Sequence, residues 1–283
     1  MRWKWVPVIA VFALLTSAVR ASPVHAACTP TPGVAPANDV ALGQCLFGSR
    51  TAFGQNPGSV FPSCSTCHYS GTAFQDRAVH FNILTNAQGK TLKVFRNTPS
   101  LFNAAESGPY GWDGRHATIQ DQALDAIVNP LEMNGTGATG AQLDALAAFV
   151  RTITPPQSPY DLFIAGDTTA LSPAAQNGMQ IFLGKGTCST CHAPPLFTNN
   201  TFQTNQVHAT FSPKTDPGAG FFGNGPNYTF NVPQLRGIRL TAPYMHNGAL
   251  GRLIQVVRFY NASFLLGLTE GEIGELVQFL ESL

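Results

Sequence analysis

CSTCH occurs twice in the 283-residue chain, at Cys64 to His68 and again at Cys188 to His192. A Cys-x-x-Cys-His element presents two thiols that can add to the vinyl groups of a haem, while the histidine after the second thiol supplies the fifth ligand to the iron. Two redox dithiols or one shared four-cysteine zinc site would also use paired cysteines. Neither chemistry asks for a histidine directly after each pair, so two covalent c-type haems are expected. Cys64, Cys67 and His68 would hold one, and Cys188, Cys191 and His192 the other.

The first 26 residues, MRWKWVPVIAVFALLTSAVRASPVHA, carry Arg2 and Lys4, an apolar run from Val6 to Val19, and small residues around Ala21 and Ala26. The run is shorter than the roughly 20 residues a membrane helix needs, and the arrangement reads as a secretory signal peptide, residues 1–26, with no stable membrane insertion of the mature chain. The expected location is the periplasm. Removing Arg2, Lys4 and Arg20 from the 16 basic residues leaves 13 against 15 acidic ones, which gives no basic footprint for nucleic acid. Cys28 and Cys45 remain outside the two motifs, and an oxidising compartment would let them pair. The sequence alone leaves that bond open.

The motifs lie 188 − 64 = 124 residues apart, about half the mature chain, and other segments repeat near that spacing. LGQCLFG (Leu42 to Gly48) is echoed by NGMQIFLG (Asn177 to Gly184), and TPSLFNAAESGPYGWDG (Thr98 to Gly114) by VPQLRGIRLTAPYMHNG (Val232 to Gly248). Each half then closes with an apolar helix behind a capping-box pattern, Thr139 with Gln142 and Thr269 with Glu272. Strand signals are sparse, while 27 Gly and 21 Pro mark long connections. The expected fold is mainly α, with two cytochrome c-like helical haem domains and long irregular loops. Residues 27–155 would form one and 156–283 the other, joined around ITPPQSPY (Ile153 to Tyr160). At an offset of 134 residues (244 − 110) Tyr260 falls on Ala126, His246 on Trp112 and Val256 on Gln122. One half puts a phenol where the other has a methyl group, so one iron can be closed while the other stays open.

With CSTCH twice, RNTPSLFN (Arg96 to Asn103), GWDGR (Gly111 to Arg115), QALDAIVNPLEM (Gln122 to Met133) and LTAPYMHNG (Leu240 to Gly248) in this order, the chain resembles the bacterial di-haem cytochrome c peroxidase and MauG superfamily over nearly its whole mature length. The resemblance implies two cytochrome c-like domains with a calcium ion between them, bound by Asn97 and the carbonyls of Thr241 and Pro243, which are hard oxygen donors. It makes the N-terminal haem the one that reacts with hydrogen peroxide, with Gln122 and Glu132 on its open side. A carboxyl there can carry a proton from the near to the far peroxide oxygen, so that the O–O bond breaks and water leaves. Trp112 matches the tryptophan that relays electrons between the haems, and His246 a residue near the C-terminal haem.

Within the family, peroxidases place a methionine fourteen residues after the histidine of the Pro-Tyr-x-His-x-Gly segment, whereas MauG places a tyrosine there. That position is Tyr260 here, which makes Tyr260 the expected sixth ligand of the C-terminal iron, with Met245 as the alternative by comparison with small cytochromes c. Many peroxidases of the family close the N-terminal iron with a distal histidine. Its usual place falls near Gly89, and the nearest histidine is His80, so an open site without reductive activation is expected. Another departure from MauG is Ala126, where that protein has a proline. The implied function is a periplasmic di-haem oxidoreductase using hydrogen peroxide to oxidise a protein partner. The alternatives are a cytochrome c peroxidase drawing electrons from a small cytochrome or copper protein, and a passive di-haem electron carrier.

Overall fold

Helix starts carry the cleanest local signals, and each is answered in space. In this computed structural model, which describes residues 27–56, 58–59, 61–207 and 216–283, α1 (Val40–Gly48) begins at Asp39, whose carboxylate accepts from the Leu42 amide. Thr118 caps α3 (Ile119–Val128), after the single turn α2 (Cys64–Cys67). Thr139 and Gln142 make a full capping box at α4 (Gly140–Val150). Ser158 and Ser172 cap α5 (Pro159–Ile164) and α6 (Pro173–Leu183), each with proline at the first helical position, where its missing N–H and fixed φ cost nothing. After α7 (Leu253–Ser263), Thr269 and Glu272 repeat the capping box at α8 (Glu270–Glu281). The expected signal peptide lies outside the described residues, among which no helix is long and apolar enough to cross a membrane.

Two helix crossings repeat the same solution. A Cβ on Gly43 of α1 would stand 1.9 Å from the Ala145 carbonyl oxygen of α4, and one on Gly178 of α6 would stand 2.0 Å from that of Glu275 on α8. Only a residue without a side chain lets the backbones approach so closely. Around the first crossing Leu42, Leu46, Phe53, Ile127 and Leu146 form one apolar core. Around the second, Tyr160, Phe182, Phe197 and Phe279 meet edge to face at centroid separations of 5.1 to 6.1 Å, the arrangement that ring quadrupoles favour. The first core draws on residues 42–150 and the second on residues 160–283. The sequence echo also extends to backbone detail: the bridge Tyr110 to His116 reappears 134 residues on as Tyr244 to Leu250 (244 − 110), and α3 and α7 start at the equivalent Ile119 and Leu253.

The fold is mainly helical with little sheet. One element departs from the expectation of loop: β1 (Val79–Thr85) and β2 (Thr91–Asn97) form an antiparallel hairpin, turning at Asn86 to Lys90. Two short strands, β3 (Phe202–Gln203) and β4 (Phe230–Asn231), pair in the C-terminal half. Cys28 and Cys45 form a disulfide across a sequence separation of 17, tying the start of the described chain to α1. Polar contacts cross between the halves. Arg96 is buried and paired with Asp113 and Asp216, the Asn97 amide donates to the His246 carbonyl at 2.7 Å, and the Asn231 amide to that of Trp112 at 2.9 Å.

Candidate functional site

Each CSTCH segment curls so that the histidine amide donates to the carbonyl of the first cysteine, at 2.8 Å for His68 and 2.9 Å for His192. The ring is then fixed from its far side. His68 Nδ1 lies 2.8 Å from the Phe74 carbonyl oxygen, and His192 Nδ1 lies 3.0 Å from that of Phe197. A carbonyl only accepts, so Nδ1 carries the proton and Nε2 keeps its lone pair for a metal. Burial lowers both histidine pKa values, which favours the neutral imidazole that ligation needs.

The four motif cysteines are free. Burial pushes the Cys64 and Cys67 thiols up to about 12 and Cys188 to about 11. Such thiols are poor thiolate donors, and the four do not gather around one point. Among the described residues the one His/Cys/Asp/Glu group close enough to chelate an ion is Cys67, Asp76 and His80. A shared zinc site and a reactive dithiol therefore lose support. Two oriented imidazoles, each beside two unpaired thiols on the wall of a single cavity of about 670 Å³, fit two c-type haems.

That cavity brings together most of the residues singled out in the sequence. Gln122, Ala126 and Glu132 line it from α3 and the turn after it, and the equivalent positions 134 residues on (256 − 122), Val256, Tyr260 and Leu266, line it from α7 and its following turn. The first set offers an amide, a methyl group and a carboxyl. The second offers two aliphatic side chains and one phenol. Glu132 is held by Asn129, whose Nδ2 donates to its Oε1 at 3.1 Å. Burial raises its pKa, and Asp125 raises it further against the pull of Arg115 and His80. The Gln122 Oε1 is buried without a hydrogen-bond partner. Tyr260 stacks on Phe264 at 5.6 Å and 15°. Burial pushes its phenol well up, and the Cys191 and Cys188 thiols add to the shift, so the ring stands within electrostatic reach of the second haem motif.

Trp112 lies on the same wall and its indole Nε1 donates to the Asn97 carbonyl at 2.8 Å. Asn97 in turn donates from Nδ2 to the Pro243 carbonyl at 2.6 Å, while its Oδ1 is buried with no hydrogen-bond partner. An orphaned amide oxygen beside a backbone carbonyl is donor chemistry that suits calcium, and Thr241 lines the same cavity. His246 is 2 % exposed and stacks on Phe230 at 3.8 Å and 13°. Phe230, rather than His246, is on the cavity wall.

Met245 lines the cavity with φ +74°, and its sulfur lies 3.9 Å from Asn205 Nδ2. Met133 sits 3.9 Å from the Cys64 sulfur. His80 faces the cavity from β1 with Nε2 2.5 Å from Asp76, a hydrogen bond that raises its pKa. Sequence reasoning missed the two orienting carbonyls. Their signal is a phenylalanine in positive φ a few residues after each motif, Phe74 and Phe197. It also missed Leu266, whose meaning emerges only when set against Glu132.

Residues 37–143 match the family model described as di-haem cytochrome c peroxidase. The methylamine utilization protein MauG of Methylorubrum extorquens is 31% identical over 86% of this chain and 77% of its own length. The cytochrome c551 peroxidase of Pseudomonas aeruginosa is 29% identical over 78% of this chain and 72% of its own. Among solved structures, a MauG-like protein associated with microbial copper homeostasis superposes with a TM-score of 0.71 at 25% identity, covering 90% of this chain and 91% of that one. With two haem motifs, oriented histidines and relatives of this breadth, the chain belongs to the di-haem cytochrome c peroxidase and MauG family, and is a peroxidase-type oxidoreductase.

Proposed function

We propose that the protein works in the periplasm as a MauG-like enzyme, taking hydrogen peroxide at the haem of residues 27–155 and sharing the oxidising equivalents with a six-coordinate haem of residues 156–283 to oxidise a protein partner. The haem sites, when loaded, supply the iron at which the peroxide O–O bond is cleaved and the electrons are held. The side chains divide the remaining work. Glu132 accepts the proton of the near peroxide oxygen and returns it to the far one, so that water is the leaving group. Gln122 orients the peroxide through its amide, and Ala126 leaves the space to admit it. At the equivalent place in the other half, the Tyr260 hydroxyl would hold the second haem's iron, and Val256 and Leu266 offer no group that could move a proton. Trp112, held by its bond to the Asn97 carbonyl, relays electrons between the halves, and Asn97, Thr241 and Pro243 would hold a calcium ion that stiffens that junction.

The observation that supports this reading is the contrast between Gln122, Ala126, Glu132 and Val256, Tyr260, Leu266, equivalent by sequence and all on one cavity. Replacing Tyr260 with Phe tests it, because only the hydroxyl is removed. The absorption spectrum of the C-terminal haem should change while that of the N-terminal haem stays as it was; an unaltered C-terminal spectrum would reject the tyrosine ligand. The second reading, a cytochrome c peroxidase reducing peroxide to water, draws support from the similarity to the Pseudomonas aeruginosa cytochrome c551 peroxidase. Brisk steady-state turnover with a reduced small cytochrome would favour it.

A further inference from the structure

The β1–β2 hairpin carries exposed apolar side chains on one side. In its register Phe81 faces Phe95, Ile83 faces Lys93 and Val79 faces Asn97, so these alternate positions share one side of the ribbon. On that side Phe95 is 62% exposed, Phe81 and Ile83 39% each and Val79 37%, with the Phe81 and Phe95 rings 5.3 Å apart. The other side carries His80, Asn82, Leu84 and Arg96, all on the haem cavity. The inner side thus mixes polar groups with the buried Leu84 and Val94, while the apolar groups of the outer side stay partly exposed. Phe81 also reaches the cavity, but Val79, Ile83 and Phe95 do not line it, so haem binding would leave these three uncovered on the outer face.

The charges that the hairpin itself carries are of one sign. From Arg77 to Ala105 the chain holds Arg77, Lys90, Lys93 and Arg96 and no Asp or Glu. Arg96 is buried and neutralised by Asp113 and Asp216. Arg77, Lys90 and Lys93 are exposed and take part in none of the ion pairs among the described residues. This local excess of three cations stands on residues 27–283, which carry 13 basic against 15 acidic groups. An aromatic centre with a cationic border is what a protein interface with an acidic partner needs: the rings supply desolvated contact and the lysines steer the encounter.

We infer that the outer face of this hairpin is where the protein partner docks, and that the partner presents an apolar patch bordered by carboxylates. The inference rests on the reading that the enzyme exchanges electrons with another protein. It adds where that protein sits: one sheet thickness from the N-terminal haem cavity.

The test uses the haem-loaded protein, its Phe95→Glu and Lys93→Glu variants, and two probes, an acidic and a basic small c-type cytochrome, with affinities measured by calorimetric titration at low and high salt. The acidic probe should bind the wild type, lose roughly tenfold or more in affinity to Phe95→Glu, lose less to Lys93→Glu, and weaken with salt. Equal affinity across the variants, no binding of the acidic probe, or preference for the basic one would overturn the inference. So would a dimer that Phe95→Glu converts to monomer in sedimentation, which would give the face to a second copy, or binding to phosphatidylglycerol vesicles that Phe95→Glu removes, which would give it to a membrane. Bleaching of the haem band by peroxide, measured without any cytochrome, should be the same in all three proteins. Its absence in the wild type would defeat the functional reading while leaving the binding result to be judged separately.

Discussion

Replacing Glu132 with Gln isolates the proton-carrying step. The amide keeps the shape of the carboxyl, and its oxygen can still accept from Asn129 Nδ2, now 3.1 Å from Glu132 Oε1, so the side chain should stay in place. What it loses is the ability to take and return a proton. Positioned acid–base groups contribute about 10²- to 10⁴-fold, or about 3 to 5 kcal/mol of barrier. The bimolecular rate of peroxide with the ferric protein, followed by stopped-flow at the haem band, should fall by that factor. Burial, reinforced by Asp125, raises the Glu132 pKa above its ordinary value of 4.5. The wild-type rate should therefore climb with pH through a midpoint above 4.5 as the carboxylate forms, and the variant should lack that limb. A raised carboxyl pKa also means that the folded state resists ionisation, so Glu132 contributes no stability at neutral pH and its replacement should leave the melting temperature unchanged or higher. A Glu132→Gln protein that reacts within about threefold of the wild type, with the same acid limb, would refute the assignment.

Two glycines should respond in opposite directions. Gly178→Ala forces a methyl group to within 2.0 Å of the Glu275 carbonyl oxygen, which should cost about 1–3 kcal/mol or more and lower the melting temperature by roughly 2–4 °C for each of them. Gly274→Ala lies in α8 with open space around the new Cβ and should raise stability by about 0.8–1 kcal/mol through helix propensity; thermal melts followed by circular dichroism read both. Replacing Cys28 and Cys45 by Ser opens a link between residues 17 apart, which should remove about 3 kcal/mol and lower the midpoint of guanidinium unfolding without altering the haem spectrum.

What the sequence made legible is what chemistry makes local. The haem motifs fit into five consecutive residues, and the capping boxes at Thr139 and Thr269 into four, so residue order alone reveals them. The internal repeat carried the next layer, because aligning the two halves of the sequence is enough to set Tyr260 against Ala126. The hairpin escaped because both of its sides mix polar and apolar residues. Strand recognition expects one apolar and one polar side, whereas here His80, Asn82 and Arg96 share the cavity side with the buried Leu84 and Val94, and Ile83 and Phe95 are exposed on the other. The Cys28–Cys45 bond was a possibility that only the folded chain could settle, since nothing in the spacing fixes where Cβ vectors point. His246, matched by sequence to Trp112, is the opposite lesson: the alignment is sound, yet burial behind Phe230 gives the two residues different surroundings.

Electron paramagnetic resonance of the resting ferric protein tests the central claim, one open iron beside one closed by Tyr260, most directly. One high-spin and one low-spin haem are expected, with the low-spin signal altered in Tyr260→Phe. Two low-spin haems would contradict the claim, placing a side chain such as His80 on the N-terminal iron and returning the protein to a reductively activated peroxidase or an electron carrier.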